Sequence, residues 1–214
     1  MPMNAVVWIV SWALIAAADA GATGQNPAPA AAPAAAVLPM CPVMGEPIDF
    51  TVSARTDEGP VFFCCQECVQ KYGADPSKYA SKVASQRQAL DKRPKIQVLC
   101  PVTGEAVDSK AFIDQGGQKI HFCCPECIDK YKADPAKYKA NLANSYTYQT
   151  QCPVMDEPIT AKNSLVLPGG QKIYLCCGRC AKKLLADPAK YAPKLASQGV
   201  RINVDEINKQ KQGG

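Results

Sequence analysis

The 214-residue sequence predicts a small α+β protein of three tandem modules, each a short β-hairpin followed by two short helices. Three observations predict it. The twelve cysteines fall into three groups of four, and the same motifs surround each group in the same order. Glycine turns between short β-branched and aromatic runs mark a hairpin in every copy. Modules of about 50 residues bury too little surface to be held by an apolar core alone, so a metal or a disulfide is expected in each.

The chain begins with residues unlike the rest. An apolar run over 6–18 leads to Ala18-Asp19-Ala20, a small-x-small pattern before Gly21. Residues 1–20 therefore read as a signal peptide, and the protein as exported: periplasmic or extracellular if bacterial. The run is shorter than the roughly 20 residues of a spanning helix, so no stable membrane span is expected after cleavage. An uncleaved anchor is the alternative. Residues 21–39 are mostly Ala and Pro, with Pro27, Pro29, Pro33 and Pro39 blocking a long helix, and read as a disordered linker.

The modules span 40–90, 99–145 and 151–198. They open with Cys41-Pro42-Val43-Met44-Gly45-Glu46, Cys100-Pro101-Val102-Thr103-Gly104-Glu105 and Cys152-Pro153-Val154-Met155-Asp156-Glu157. Strand-like runs follow at 48–54 and 60–63, at 110–113 and 119–122, and at 164–167 and 172–175. The double cysteines come next, and a helix is expected from about 67 to 72 in the first copy. A second helix begins at Asp-Pro, where Asp75, Asp134 and Asp187 supply the cap and the proline fits the first helical position. Tyr79, Tyr138 and Tyr191 are expected to pack inward. Polar segments 86–97 and 144–151 join the copies, and 199–214 reads as a loose polar tail.

Each module carries an early cysteine and then Cys-Cys-x-x-Cys. Cys65 and Cys68, Cys124 and Cys127, and Cys177 and Cys180 are C-x-x-C pairs, the spacing of a zinc knuckle or a redox dithiol. Cys64 and Cys68, Cys123 and Cys127, and Cys176 and Cys180 are four apart, which suits one helix face. Either pairing needs Cys41, Cys100 or Cys152 from across the hairpin, so all twelve are candidate ligands. Converging thiolates suit Zn2+, Cu+ or another thiophilic ion, and a helix N-terminus favours the thiolate. An even cysteine count in small exported modules fits a disulfide framework equally well. The spacing leaves both open.

An early cysteine, about 22 intervening residues, Cys-x-x-x-Cys after an aromatic, and then x-DP-x-KY together resemble the TRASH and YHS domains. Cys41, Cys64 and Cys68 match the three-cysteine TRASH spacing, as do Cys100, Cys123 and Cys127, and Cys152, Cys176 and Cys180. The resemblance covers about residues 40–195. It implies treble-clef-like zinc-finger modules associated with heavy-metal sensing, trafficking and resistance, and it moves the balance toward metal. Many YHS domains instead carry a cysteine where this chain has Met44, Thr103 and Met155, and often a serine at the positions of Cys65, Cys124 and Cys177. The fourth ligand thus stays open between that extra cysteine, a methionine sulfur and none.

Other chemistries find little support. The net charge of +5 is spread among interleaved acids and bases, without the clustered basic stripe of a nucleic-acid-binding surface. The single histidine, His121, aligns with Phe62 and Tyr174 and reads as a packing aromatic, a ligand role being the alternative. Glu46, Glu105 and Glu157 recur, but each alone in its copy, and read as turn residues. The expected function is a metal binder, not an enzyme, whose partners are the ion and a metal-accepting protein. The alternatives are a structural protein with zinc- or disulfide-stapled modules, and a C-x-x-C thiol–disulfide oxidoreductase.

Overall fold

A computed structural model describes residues 38–212. The signal peptide read at 1–20 and all but the last two residues of the linker read at 21–39 lie outside them. The described residues form a mixed α+β structure of four two-stranded sheets and seven α-helices.

Each early cysteine starts a tight knuckle turn. Cys41 donates its N–H to the Glu46 carbonyl at 2.7 Å, and its own carbonyl accepts from Gly45 at 2.8 Å. The same pair of bonds closes the turns at Cys100 and Cys152. The turn needs one left-handed residue, filled by Gly45 (φ 76°), Gly104 (φ 78°) and Asp156 (φ 59°). Aspartate is among the few non-glycine residues that tolerate this region. Glu46, Glu105 and Glu157 are exposed and act through their carbonyls.

The hairpins follow: β1 (Asp49–Ala54) with β2 (Val61–Phe63), then β4 (Asp108–Gln115) with β5 (Gln118–Phe122), and β7 (Thr160–Val166) with β8 (Lys172–Leu175). Every hairpin carries a register shift near the start of its first strand. Such a bulge bends the strand and re-aims it. Between the first and second hairpins runs β3 (Ile96–Gln97), which pairs with β6 (Tyr146–Thr147) between the second and third. This ladder falls on the two segments read from sequence as polar connectors, so the connectors hold the modules to each other.

A helix begins immediately after each double cysteine: α1 (Gln66–Ala74), α3 (Pro125–Ala133) and α5 (Gly178–Ala186). The second helices are α2 (Ala80–Asp91), α4 (Lys139–Ala143) and α6 (Pro188–Ser197). The expected aspartate cap is present on α6, where Asp187 accepts from the Lys190 N–H. Asp75 and Asp134 instead accept from the Lys78 and Lys137 N–H ahead of α2 and α4, whose N-caps are Tyr79 and Tyr138. In the first two modules the chain makes a 3-10 turn (Ser77–Tyr79, Ala136–Tyr138) before becoming α-helical. Tyr79, Tyr138 and Tyr191 are half-buried against their own module cores.

Residues 199–212 depart from the expected loose tail. They carry α7 (Val204–Gln212), and Val200 and Ile207 are buried in the third module's core. The segment also reaches the first module: Gly199 accepts from the Phe50 N–H at 2.8 Å, and Arg201 bonds Asp49 and the Pro47 carbonyl. Phe50, Phe62 and Tyr148 form an aromatic cluster there, with ring centroids 4.9–5.6 Å apart and Arg93 over the Phe50 face. Burial of Val200 and Ile207, not local helix propensity, orders the polar tail. No helix among the described residues is long and apolar enough to cross a membrane.

Candidate metal centre

Hairpin and helix together bring the distant cysteine to its cluster. The sulfurs of Cys41, Cys64 and Cys68 lie within 4.8 Å of one another, as do those of Cys100, Cys123 and Cys127, and of Cys152, Cys176 and Cys180. The first and last of each triad are buried and the middle one is half-buried. All twelve cysteines are free. Within the triads, the thiols four residues apart are separated by 3.5–3.6 Å. Tetrahedral thiolates at a zinc–sulfur distance of about 2.3 Å would stand about 3.8 Å apart, so the donors already have nearly the spacing that a thiophilic ion requires.

The remaining cysteine of each module sits beside its triad. Cys65 is the N-cap of α1, and its sulfur lies 3.5 Å from that of Cys68 and 3.9 Å from that of Cys64. Cys124 and Cys177 cap α3 and α5, at 3.4 Å from Cys127 and 3.2 Å from Cys180. Cys65 is exposed and the other two half-buried, so the fourth thiol faces the outside of each site.

The electrostatics favour ionised sulfur at two places. Burial opposes charge on Cys41, but the N–H groups of Met44, Cys64 and Val43 outweigh it and bring its pKa below the ordinary thiol value. Burial likewise opposes charge on Cys100 and Cys152, where the amides of Cys123, Thr103 and Val102, and of Cys176, Val154 and Met155, have the same net effect. Such convergent N–H groups make a concavity suited to an anion. At the helix start, Cys177 is lowered to about 7 by the Cys180 thiol and by the backbone N–H groups of Cys180 and Arg179. Cys65 is lowered by the Cys68 backbone and thiol. The interior members go the other way: burial pushes Cys64 up to about 11 and raises Cys68, Cys127 and Cys180 further. A set of four thiols in which some favour the anion and others resist it without a cation is chemically suited to metal, whose charge deprotonates the rest.

The residues weighed as further ligands take other places. Met44 and Met155 are exposed at their knuckles. Thr103, their counterpart, approaches the Cys123 sulfur to 3.3 Å through its hydroxyl. His121 lies outside the three triads, on β5, with its ring 5.6 Å from that of Phe112.

Three buried glutamines escape a reading confined to cysteine chemistry. Gln86, on α2, accepts from the Phe62 N–H at 2.9 Å and donates to the Phe62 and Met40 carbonyls at 2.8 and 2.9 Å. Gln97 does the same for His121 and Leu99, and Gln149 for Tyr174 and Gln151. In each case the amide joins the residue just before the early cysteine to the residue two before the double cysteine. A sequence signal for two of them exists, since Gln97-x-x-Cys100 and Gln149-x-x-Cys152 share one spacing. The first module has Leu38 there, and Gln86 substitutes for it from a helix that follows the site.

Comparison with protein-family models, with curated proteins and with solved structures found no match for this chain.

Proposed function

We propose that this protein is an exported binder of soft metal ions, holding Zn2+, Cu+ or a heavy metal at three thiolate sites for sequestration, trafficking or resistance. The observation that carries this reading is the threefold convergence of sulfurs from opposite ends of a module to within 4.8 Å. Apolar burial alone would not require the sulfurs of three residues to converge, whereas a thiophilic ion does. The cysteines of each triad are the primary ligands, and Cys65, Cys124 and Cys177 are the fourth donors that close the site or pass the ion to an acceptor protein. The resemblance to TRASH and YHS domains supports the same reading and would make each module a treble-clef-like finger. The signal-like N-terminus supports export.

The test is metal content by mass spectrometry and a thiol count on one freshly isolated sample. Three ions per chain with unbridged cysteines is the expected result. No stoichiometric metal, together with fully oxidised cysteines, refutes it.

One observation favours a second reading, and it is clearest at module 3. Cys177 and Cys180 are 3.2 Å apart, with the outer thiol's pKa lowered to about 7 and the inner one raised by burial. That asymmetry is the one a dithiol redox couple uses. Reduction of a disulfide substrate by the metal-free, fully reduced chain, lost in Cys177→Ser, would establish it.

A further inference from the structure

We propose that Gln86, Gln97 and Gln149 are positioning residues that set the affinity of the three sites, an inference that rests on the metal-binding reading. The two halves of each site are separated by about 22 residues of chain, and a knuckle can shift against a hairpin unless something fixes their register. In every module that fixture is a glutamine side chain. Its amide engages both main-chain groups of Phe62, His121 or Tyr174, as a neighbouring strand would, and also the carbonyl preceding the early cysteine.

Burial makes this arrangement more than ornament. Gln86, Gln97 and Gln149 are 3%, 7% and 1% exposed. A long polar side chain at such sites is favourable only when its amide is matched, and here every group it meets is matched in return. The device also recurs where the sequence does not. Two copies supply the glutamine from three residues before the early cysteine and the first supplies it from α2, yet the equivalent main-chain atoms are bridged. Recurrence of the contact across different origins marks the contact itself as what the sites need. Held this way, the sulfurs stand at ligand spacing before an ion arrives, so binding spends less of its free energy on ordering.

The test uses the full chain loaded with Cd2+ and the site-resolved 113Cd NMR spectrum, with release to a competing chelator followed at each resonance. Gln97→Leu is expected to broaden or shift the signal of the Cys100 site and speed its Cd2+ release about 10–100-fold, the usual effect of removing a partner outside the ligand shell. The other two signals should stay. Gln149→Leu and Gln86→Leu should act in the same way on the Cys152 and Cys41 sites. Unchanged spectra and release rates in all three variants would overturn the proposal, as would equal weakening of every site by any one variant, which marks a general loss of fold. If a variant does not fold, hydrogen exchange of the metal-free wild type decides. The Phe62, His121 and Tyr174 amides should be as protected as their strand neighbours, and free exchange there counts against pre-positioning. A wild-type chain that takes up no Cd2+ instead sinks the metal-binding reading itself.

Discussion

Gly199→Ala should destabilise the protein far more than Gly45→Ala, although both glycines have nearly the same backbone. Their φ angles are +77° and +76°. Placing a side chain in this left-handed region costs roughly 1–2 kcal/mol in either case. The surroundings differ. A Cβ on Gly45 meets nothing within 4 Å, whereas on Gly199 it falls 2.7 Å from Phe50 Cδ2 and 2.8 Å from Leu38 Cδ2. The Phe50 ring cannot withdraw freely, because it is stacked on Tyr148 and edge-packed against Phe62. Overpacking of this kind adds about 1–3 kcal/mol. The total for Gly199→Ala is therefore about 2–5 kcal/mol, or a Tm lowered by about 4–20 °C for a domain of this size. Gly45→Ala should lose about 2–8 °C by the same scaling. Thermal unfolding by circular dichroism, in reductant and chelator so that metal does not contribute, measures both. Equal shifts in the two variants would refute the claim that the tail is seated against the first module's aromatic cluster.

Other outcomes follow from the sites and cores. Cys127→Ser should lower the bound metal from three ions to two per chain and leave the remaining two unaltered; a stoichiometry still at three would show that the triad is not the ligand set. In the metal-free, reduced chain, alkylation of Cys177 should rise with pH to half its maximum near 7, because its thiolate is the reactive form and its pKa is lowered to about 7. At that pH an ordinary thiol of pKa 9.0 is only about 1% ionised. Cys64, pushed up to about 11, should label well after Cys177, and the buried Cys68, Cys127 and Cys180, raised further, should label last; peptide mapping across pH would expose any other order. Leu184→Ala removes a fully buried side chain from the third module's core and should cost about 2–5 kcal/mol in denaturant unfolding.

What the sequence made legible was local and repeated. The hairpins announce themselves through glycine turns, the first helices through the double cysteines, and the second helices through Asp-Pro, because each signal lies within a few residues of the element it specifies. The triads were legible for a related reason: only one cysteine per module stands apart, so convergence had one form to take. The finer choice within Cys-Cys-x-x-Cys was not, since both registers are compatible with a helix start. Two-residue strands such as Ile96–Gln97 carry no periodicity and are defined by their distant partner. Gln86 was hidden because its bonds cross 24 and 46 residues of sequence. The order of the tail is not legible because Val200, Ile202, Val204 and Ile207 are spaced singly among polar residues, and the surface that accepts them exists only in three dimensions.

The pairing of β3 with β6 has a consequence for how such a chain can grow or shrink. Val98 and Leu99, at the start of the second module, both donate to the carbonyl of Ser145 at its end, so the chain departs from and returns to one spot. Topologically the middle copy is a cassette hung from a closed stem. Excising the residues between its two strands would leave the stem and the embrace of the first copy by the C-terminal segment in place, at the cost of the Lys162–Asp108 ion pair and the packing of Ala161 on the middle copy's core.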